Sequence, residues 1–233
     1  MRINVRLIAI LCGLLLASSV QAHDGTATFH AFRLDVAAGE NRDNASVANW
    51  DLDGWIGGDN HKLWLKSEGE VVDHVTEHSE TWAMYSYNIA TFWDLQAGVR
   101  YDSQPESTGY FVAGFTGLAP YYFETEAHLF VSEDGDVSLR LREENDFLLT
   151  QKLIVQPYLE LNAYAQDVKE LGVGSGLSDA SLGLQLRYEV TRKIAPYVEV
   201  SYGRLFGDTA DYAQSHGEDR NDNSVTAGIR LMF

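Results

Sequence analysis

Apolar and polar side chains alternate along most of this chain with a period of two, the spacing that sends successive side chains to opposite faces of an extended backbone. In "SLGLQLRYEV", Leu182, Leu184, Leu186, Tyr188 and Val190 share one face, while Ser181, Gly183, Gln185, Arg187 and Glu189 share the other. "YLELNAYAQ" separates Leu159, Leu161, Ala163 and Ala165 from Tyr158, Glu160, Asn162, Tyr164 and Gln166 in the same way. "FETEAHLF" sets Phe123, Thr125, Ala127 and Leu129 against Glu124, Glu126 and His128. About twelve segments read as strands: 29–36, 46–57, 61–70, 80–89, 92–102, 109–117, 121–131, 136–151, 156–166, 179–190, 196–206 and 223–233.

The connections alternate too. Those at 57–60, 90–91, 117–120, 153–156 and 191–194 are short, whereas 37–45, 71–79, 103–108, 167–178 and 207–222 are longer and polar. The connection at 132–135 is short where the pattern wants a long one. Short turns at one end and long loops at the other describe an antiparallel transmembrane β-barrel of about twelve strands. A soluble sandwich or small barrel would turn its apolar face inward and would stop near eight strands. Here the apolar face is expected to meet lipid and the polar face to line the lumen. Trp50, Trp64, Trp93, Tyr101, Tyr121 and Tyr188 lie near strand ends, where aromatic girdles sit.

The chain's first residues strengthen that picture. Arg2 and Arg6 precede an apolar run, Leu7 to Leu16, and Val20 and Ala22 offer a signal-peptidase site, so 1–22 reads as a cleaved signal peptide and 23–233 as the barrel. The only cysteine, Cys12, falls inside that leader, which removes thiolate chemistry from the expected product. With 34 acidic residues against 17 basic ones the formal net charge is −17, a balance that repels nucleic acid and attracts cations. Twelve Tyr, ten Phe and five Trp argue against a disordered acidic chain.

Charge becomes candidate chemistry on the lumen face. If the hairpin folds symmetrically about Asp134, His128 faces Arg140, Glu126 faces Arg142 and Glu124 faces Glu144. Such residues can simply line a polar wall, with Trp55, Trp82 and paired ions filling the lumen. They can also hold a metal, since carboxylate and imidazole suit Cu(II) or Zn(II). Glu124, Glu126, His128 and Met84 are the inward candidates, with Asp94 and Glu160 second. "VDHVTEHSE" adds Asp73, His74, Glu77 and His78, placed in an extracellular loop. Cleavage after Ala22 would leave His23 with a free amine beside its imidazole, a chelate for one cupric ion. No catalysis is expected. Glu124 and Glu126 lack the contrasting environments that acid/base work requires, and His30, the one histidine expected to face outward, has no serine partner for lipid hydrolysis.

Three stretches, "WDLDGWIGGDNHKLWLKSEGE" (50–70), "TFWDLQAGVRYD" (91–102) and "LLTQKLIVQPYLELNAYAQD" (148–167), together with the closing "TAGIRLMF", resemble the copper resistance protein B (CopB) family. The likeness runs through most of 29–233. It implies an outer-membrane β-barrel that binds or passes copper ions beside periplasmic copper-handling partners. One departure is visible. Many members carry a Met- and His-rich region before the barrel, whereas "HDGTATFHAF" enters the first strand at once, leaving Met84 and Met232 as the thioethers after the leader. A general cation-selective porin or a structural barrel without a metal site stays open beside the copper reading.

Overall fold

The computed structural model describes residues 28–217 and 219–233; the expected leader and His23 lie outside them. The strands are β1 (Phe29–Asn41), β2 (Ser46–Gly57), β3 (His61–Val72), β4 (Val75–Ala90), β5 (Trp93–Gln104), β6 (Thr108–Ala119), β7 (Phe123–Ser132), β8 (Val137–Glu144), β9 (Phe147–Leu148), β10 (Leu153–Tyr164), β11 (Gly176–Tyr188), β12 (Ile194–Leu205) and β13 (Asn221–Met232). Apart from β8 and β9, each pairs antiparallel with its sequence neighbours, and β1 closes the ring on β13, from Arg33↔Met232 to Asn41↔Ser224. β8 and β9 both pair with β10 and occupy one position, separated by a break at Asn145–Asp146. The result is a closed twelve-stranded barrel.

Closure leaves no sheet edge, and the alternation then decides which side each residue faces. Leu182, Leu184, Val198, Val200 and Val225 stand on the outer face, with Leu184 50 % exposed and Val225 54 %. Tyr101, Tyr121 and Tyr188 are exposed near strand ends as a girdle requires, but Trp64 packs into the lumen. His30 is joined on the outer face by His61, whose Nδ1 lies 2.5 Å from the Tyr85 hydroxyl. The sequence reading missed that second outward histidine.

Inside, the interior is not a water-filled bore throughout. Trp82, Met84, Tyr110, Val112 and Phe130 form a buried apolar cluster against β4–β7, with Trp64 packed beside it. Phe130 meets Trp82 edge-on at 5.1 Å between ring centroids. Arg100 and Arg140 lie over Phe130 at 4.9 and 5.8 Å, and over Trp82 at 5.6 and 5.5 Å. Guanidinium groups over aromatic faces let charge and apolar surface share one interior.

The connections correct the expected asymmetry. The polar segment 71–79 is not a long loop: β3 and β4 join through a tight turn at Asp73–His74, both at positive φ (45° and 70°), and the backbone of Val75 onward is already strand. β1 likewise runs on to Asn41 through much of the expected loop 37–45. Two long connections remain, 165–175 between β10 and β11 and 206–220 between β12 and β13, at the end of the barrel opposite the start of β1 and the end of β13. The second carries a helix, α1 (Gly207–Ser215), inside the expected loop 207–222. The two touch where the Gly174 amide donates to Thr209 Oγ1 (2.9 Å).

If the cluster around Trp82 is a true core, Trp82→Ala should destabilise the barrel by about 3–5 kcal/mol. Leu184→Ala, on the half-exposed outer face, should cost clearly less. Urea unfolding from lipid vesicles, followed by circular dichroism, compares them; equal losses would contradict an interior core.

Candidate metal site in the lumen

The hairpin register is the one a symmetric fold about Asp134 demands. His128 pairs with Arg140, Glu126 with Arg142 and Glu124 with Glu144. Ser132 Oγ tightens the turn by accepting the amides of Asp134 (3.2 Å) and Asp136 (3.0 Å), and Gly135 supplies the left-handed residue at φ 92°.

The three side chains nevertheless do not converge. His128 is 1 % exposed; its Nε2 meets Gln96 Oε1 at 2.8 Å, and its ring sits edge-on to Trp82. Glu126 pairs with Lys66 across the lumen. Glu124 is exposed toward the terminal end, beside Arg33, Asp53 and Trp64. Met84 is fully buried in the apolar cluster. Asp94 accepts from Lys62 (2.5 Å), Asn88 (2.8 Å) and Ser86 (3.2 Å), and Glu160 lies 3.4 Å from Arg142 and 3.6 Å from Arg140. His74 is at the exposed β3–β4 turn. His78, expected in a loop, stands instead on β4 facing the lumen, because the turn is two residues long.

That placement creates a group the sequence reading did not assemble. Ligand atoms of Glu68, His78 and Glu80 all lie within 4.8 Å of one another. Neighbouring strands bring them there: Glu68 pairs with Glu80, and Glu70 with His78. The signal was present in "SEGE" (67–70) and "HSE" (78–80), two alternating stretches that face each other once the turn is placed at 73–74.

Availability differs among the three. Glu80 is fully buried and already saturated. Arg100 Nη2 approaches it at 2.6 Å, Arg140 Nη1 donates at 2.7 Å, Trp82 Nε1 donates at 2.9 Å, and His78 Nε2 lies at 3.3 Å. Glu68 accepts a single charged donor, Arg140 Nη1 at 2.7 Å, and keeps 28 % of its side chain exposed. His78 is 38 % exposed and borders a cavity of about 250 Å³ that Glu68 and Glu70 also line. Glu70 stands opposite His78 in the strand register and lines the same cavity. Glu80 therefore anchors the wall, while His78, Glu68 and Glu70 present imidazole and carboxylate to the cavity. A hard or borderline cation such as Cu(II) or Zn(II) suits that donor set.

The division has a measurable consequence. Glu80→Gln leaves two buried guanidinium groups short of a counter-charge, at an expected cost of roughly 3–5 kcal/mol. His78→Ala removes an exposed contact, with an expected cost under about 1 kcal/mol. Urea midpoints of the refolded barrels test both, and a larger loss for His78→Ala would reverse the assignment of anchor and ligand.

Known proteins resemble the chain at two levels. The barrel matches the NanC porin with a TM-score of 0.59 at 14 % identity, over 85 % of this chain and 98 % of that one. It matches the KdgM porin at 0.55 and 14 % identity, over 86 % and 99 %. At that identity the likeness concerns the fold, and it agrees with an outer-membrane protein. In sequence, the chain is 45 % identical over 201 residues to copper resistance protein B of Escherichia coli, covering 86 % of this chain and 68 % of that protein. It is 40 % identical over 217 residues to the copper resistance protein B homolog of Pseudomonas syringae pv. tomato, covering 93 % and 74 %. The family model described as copper resistance protein B precursor (CopB) matches residues 28–233, and this chain, an outer-membrane β-barrel, belongs to that family.

Proposed function

We propose that the barrel binds or passes copper at the outer membrane, without catalysis, and that the ion is taken as Cu(II) by His78, Glu68 and Glu70 on the wall of the lumen cavity. The observation that carries this reading is that Glu68 and His78, whose ligand atoms lie within 4.8 Å of each other beside buried Glu80, both line that cavity, which Glu70 lines as well. Membership of a copper resistance family supports the choice of metal. The oxidation state follows from the donors at this cavity: imidazole and carboxylate favour Cu(II), whereas of the two thioethers that would favour Cu(I), Met84 is sealed among aromatic rings and Met232 lines a different cavity. In this reading the carboxylates around the cavity concentrate cations from outside, and periplasmic copper-handling proteins receive or supply the ion at the other end.

Copper titration of the detergent-folded protein tests it. His78→Ala combined with Glu68→Gln should weaken cupric binding at least tenfold, whereas His128→Ala combined with Glu126→Ala should leave it unchanged. Binding should also weaken in acid, because an imidazole ligates only when neutral. Processing ahead of His23 would create a competing amine–imidazole chelate, and a variant with one extra residue before His23 removes it while sparing the lumen. Loss confined to that last variant, or to the His128 and Glu126 pair, would overturn the assignment. Binding no tighter than to an unrelated acidic barrel would favour a porin or structural role.

A further inference from the structure

The Trp82 cluster fills the lumen against β4–β7 at its own level, so passage past it runs along the other half. Two cavities lie on that path. The upper one is the cavity of about 250 Å³ beside His78; its floor includes Asp51, Glu160 and Arg142. The lower one, about 430 Å³, opens toward the terminal end between Phe32, Trp55 and Phe233. Gln156 and Arg230 border both. A side chamber of the lower region is bordered by Arg33, Arg142 and Glu144, so Arg142 also faces both levels.

Three guanidinium groups therefore stand at the junction, and they are held very differently. Arg230 is fixed: it grips Asp35 in bidentate fashion at 2.9 and 2.7 Å, with both side chains 8 % exposed. Arg33 lies 3.1 Å from Glu144 and 3.5 Å from Asp51, and its Nε is buried without a partner. Arg142 lies 3.4 Å from Glu144 and 3.4 Å from Glu160. Well-formed guanidinium–carboxylate bonds are ~2.7–2.9 Å, so Arg33 and Arg142 are the loosely tethered cations. Each has one carboxylate contact in the upper cavity and one on the same residue, Glu144, and Arg142 also lies over the Tyr158 ring at 5.2 Å.

We infer that Arg33 and Arg142, tethered through Glu144, form the charge gate of the lumen and set which ions cross it. The reasoning is electrostatic. The upper cavity gathers cations on its carboxylates, and two guanidinium groups at the exit then oppose their descent, since rings of fixed charge select the opposite sign. Loose tethering lets the two side chains turn aside without dismantling a packed ion pair, which Arg230, Arg100 and Arg140 cannot do. Glu144 is the positioning residue: it keeps both guanidinium groups over the exit and offsets part of their charge.

The inference rests on the lumen being the route, and not on copper being the cargo. Its test accordingly uses only potassium and chloride. Single-channel currents of the full barrel in planar bilayers, under a salt gradient, give conductance and reversal potential. Arg33→Gln and Arg142→Gln should each raise conductance several-fold and move the reversal potential toward cation preference. Glu144→Gln should move it the opposite way, toward anions. A merely structural role would not shift selectivity in opposite directions, and heat-modifiable gel migration confirms that each variant is folded. Currents and reversal potentials equal to wild type in either folded arginine variant would overturn the gate. If copper binding fails while these currents shift as expected, the cargo is wrong and the gate stands; the reverse result leaves the site and removes the gate.

Discussion

A strand in hydrocarbon has no water to satisfy its amides, so every backbone group must find a partner within the sheet. In this chain that requirement is met by closing β1 on β13, and the rest follows from it. Once the ring is closed, the period-two alternation sends leucine, valine and aromatic residues to lipid and forces the charged face inward. Those charges are then confined in a narrow interior where an unpaired ion costs several kcal/mol. The lumen is therefore organised as a lattice of pairs: Glu80 with Arg100 and Arg140, Asp35 with Arg230, Asp94 with Lys62, Asp53 and Glu126 with Lys66.

The lattice is uneven, and its unevenness is where function can reside. On the side of β4–β7 it merges with the Trp82 cluster into a packed interior whose removal should cost stability. On the opposite side carboxylates outnumber their partners around a cavity, and the cations at its floor are held by long contacts. His78 sits between these regimes. Its strand neighbour Glu80 belongs to the rigid half, and its face opens on the loose half. A cation bound there, as proposed, would sit against an ion-paired wall and beside a guanidinium group held by long contacts.

Most of the fold was legible because it depends on local alternation. The strand faces, the ring of about twelve strands and the pairing of His128 with Arg140 all follow from period and turn symmetry. The candidate site was much less legible. "VDHVTEHSE" is largely polar and looks like a loop; Asp and His tolerate positive φ better than most residues, but Asp73–His74 lacks the glycine that marks a two-residue turn most strongly. Missing that turn displaced His78 from the lumen. The second obstacle was geometric: contacts across a barrel join strands that are not neighbours. His128 is satisfied by Gln96 on β5, two strands away, and Glu126 by Lys66 on β3. Spacing along one strand cannot reveal such partners, so a histidine between acids looks like a ligand when it is part of a packed wall. The inward orientation of Met84 was readable, but its aromatic surroundings come from three other strands.

The proposed cation site lies on the β3–β4 wall, where imidazole and carboxylate stand beside an ion-paired anchor. The most direct test is an anomalous difference map from crystals of the folded barrel equilibrated with cupric ion, recorded at the copper edge. The expected result is a peak in the upper cavity within bonding distance of His78 and Glu68, with no sulfur ligand. A peak beside Met84 or His128, or no ordered copper anywhere in the lumen, would contradict it.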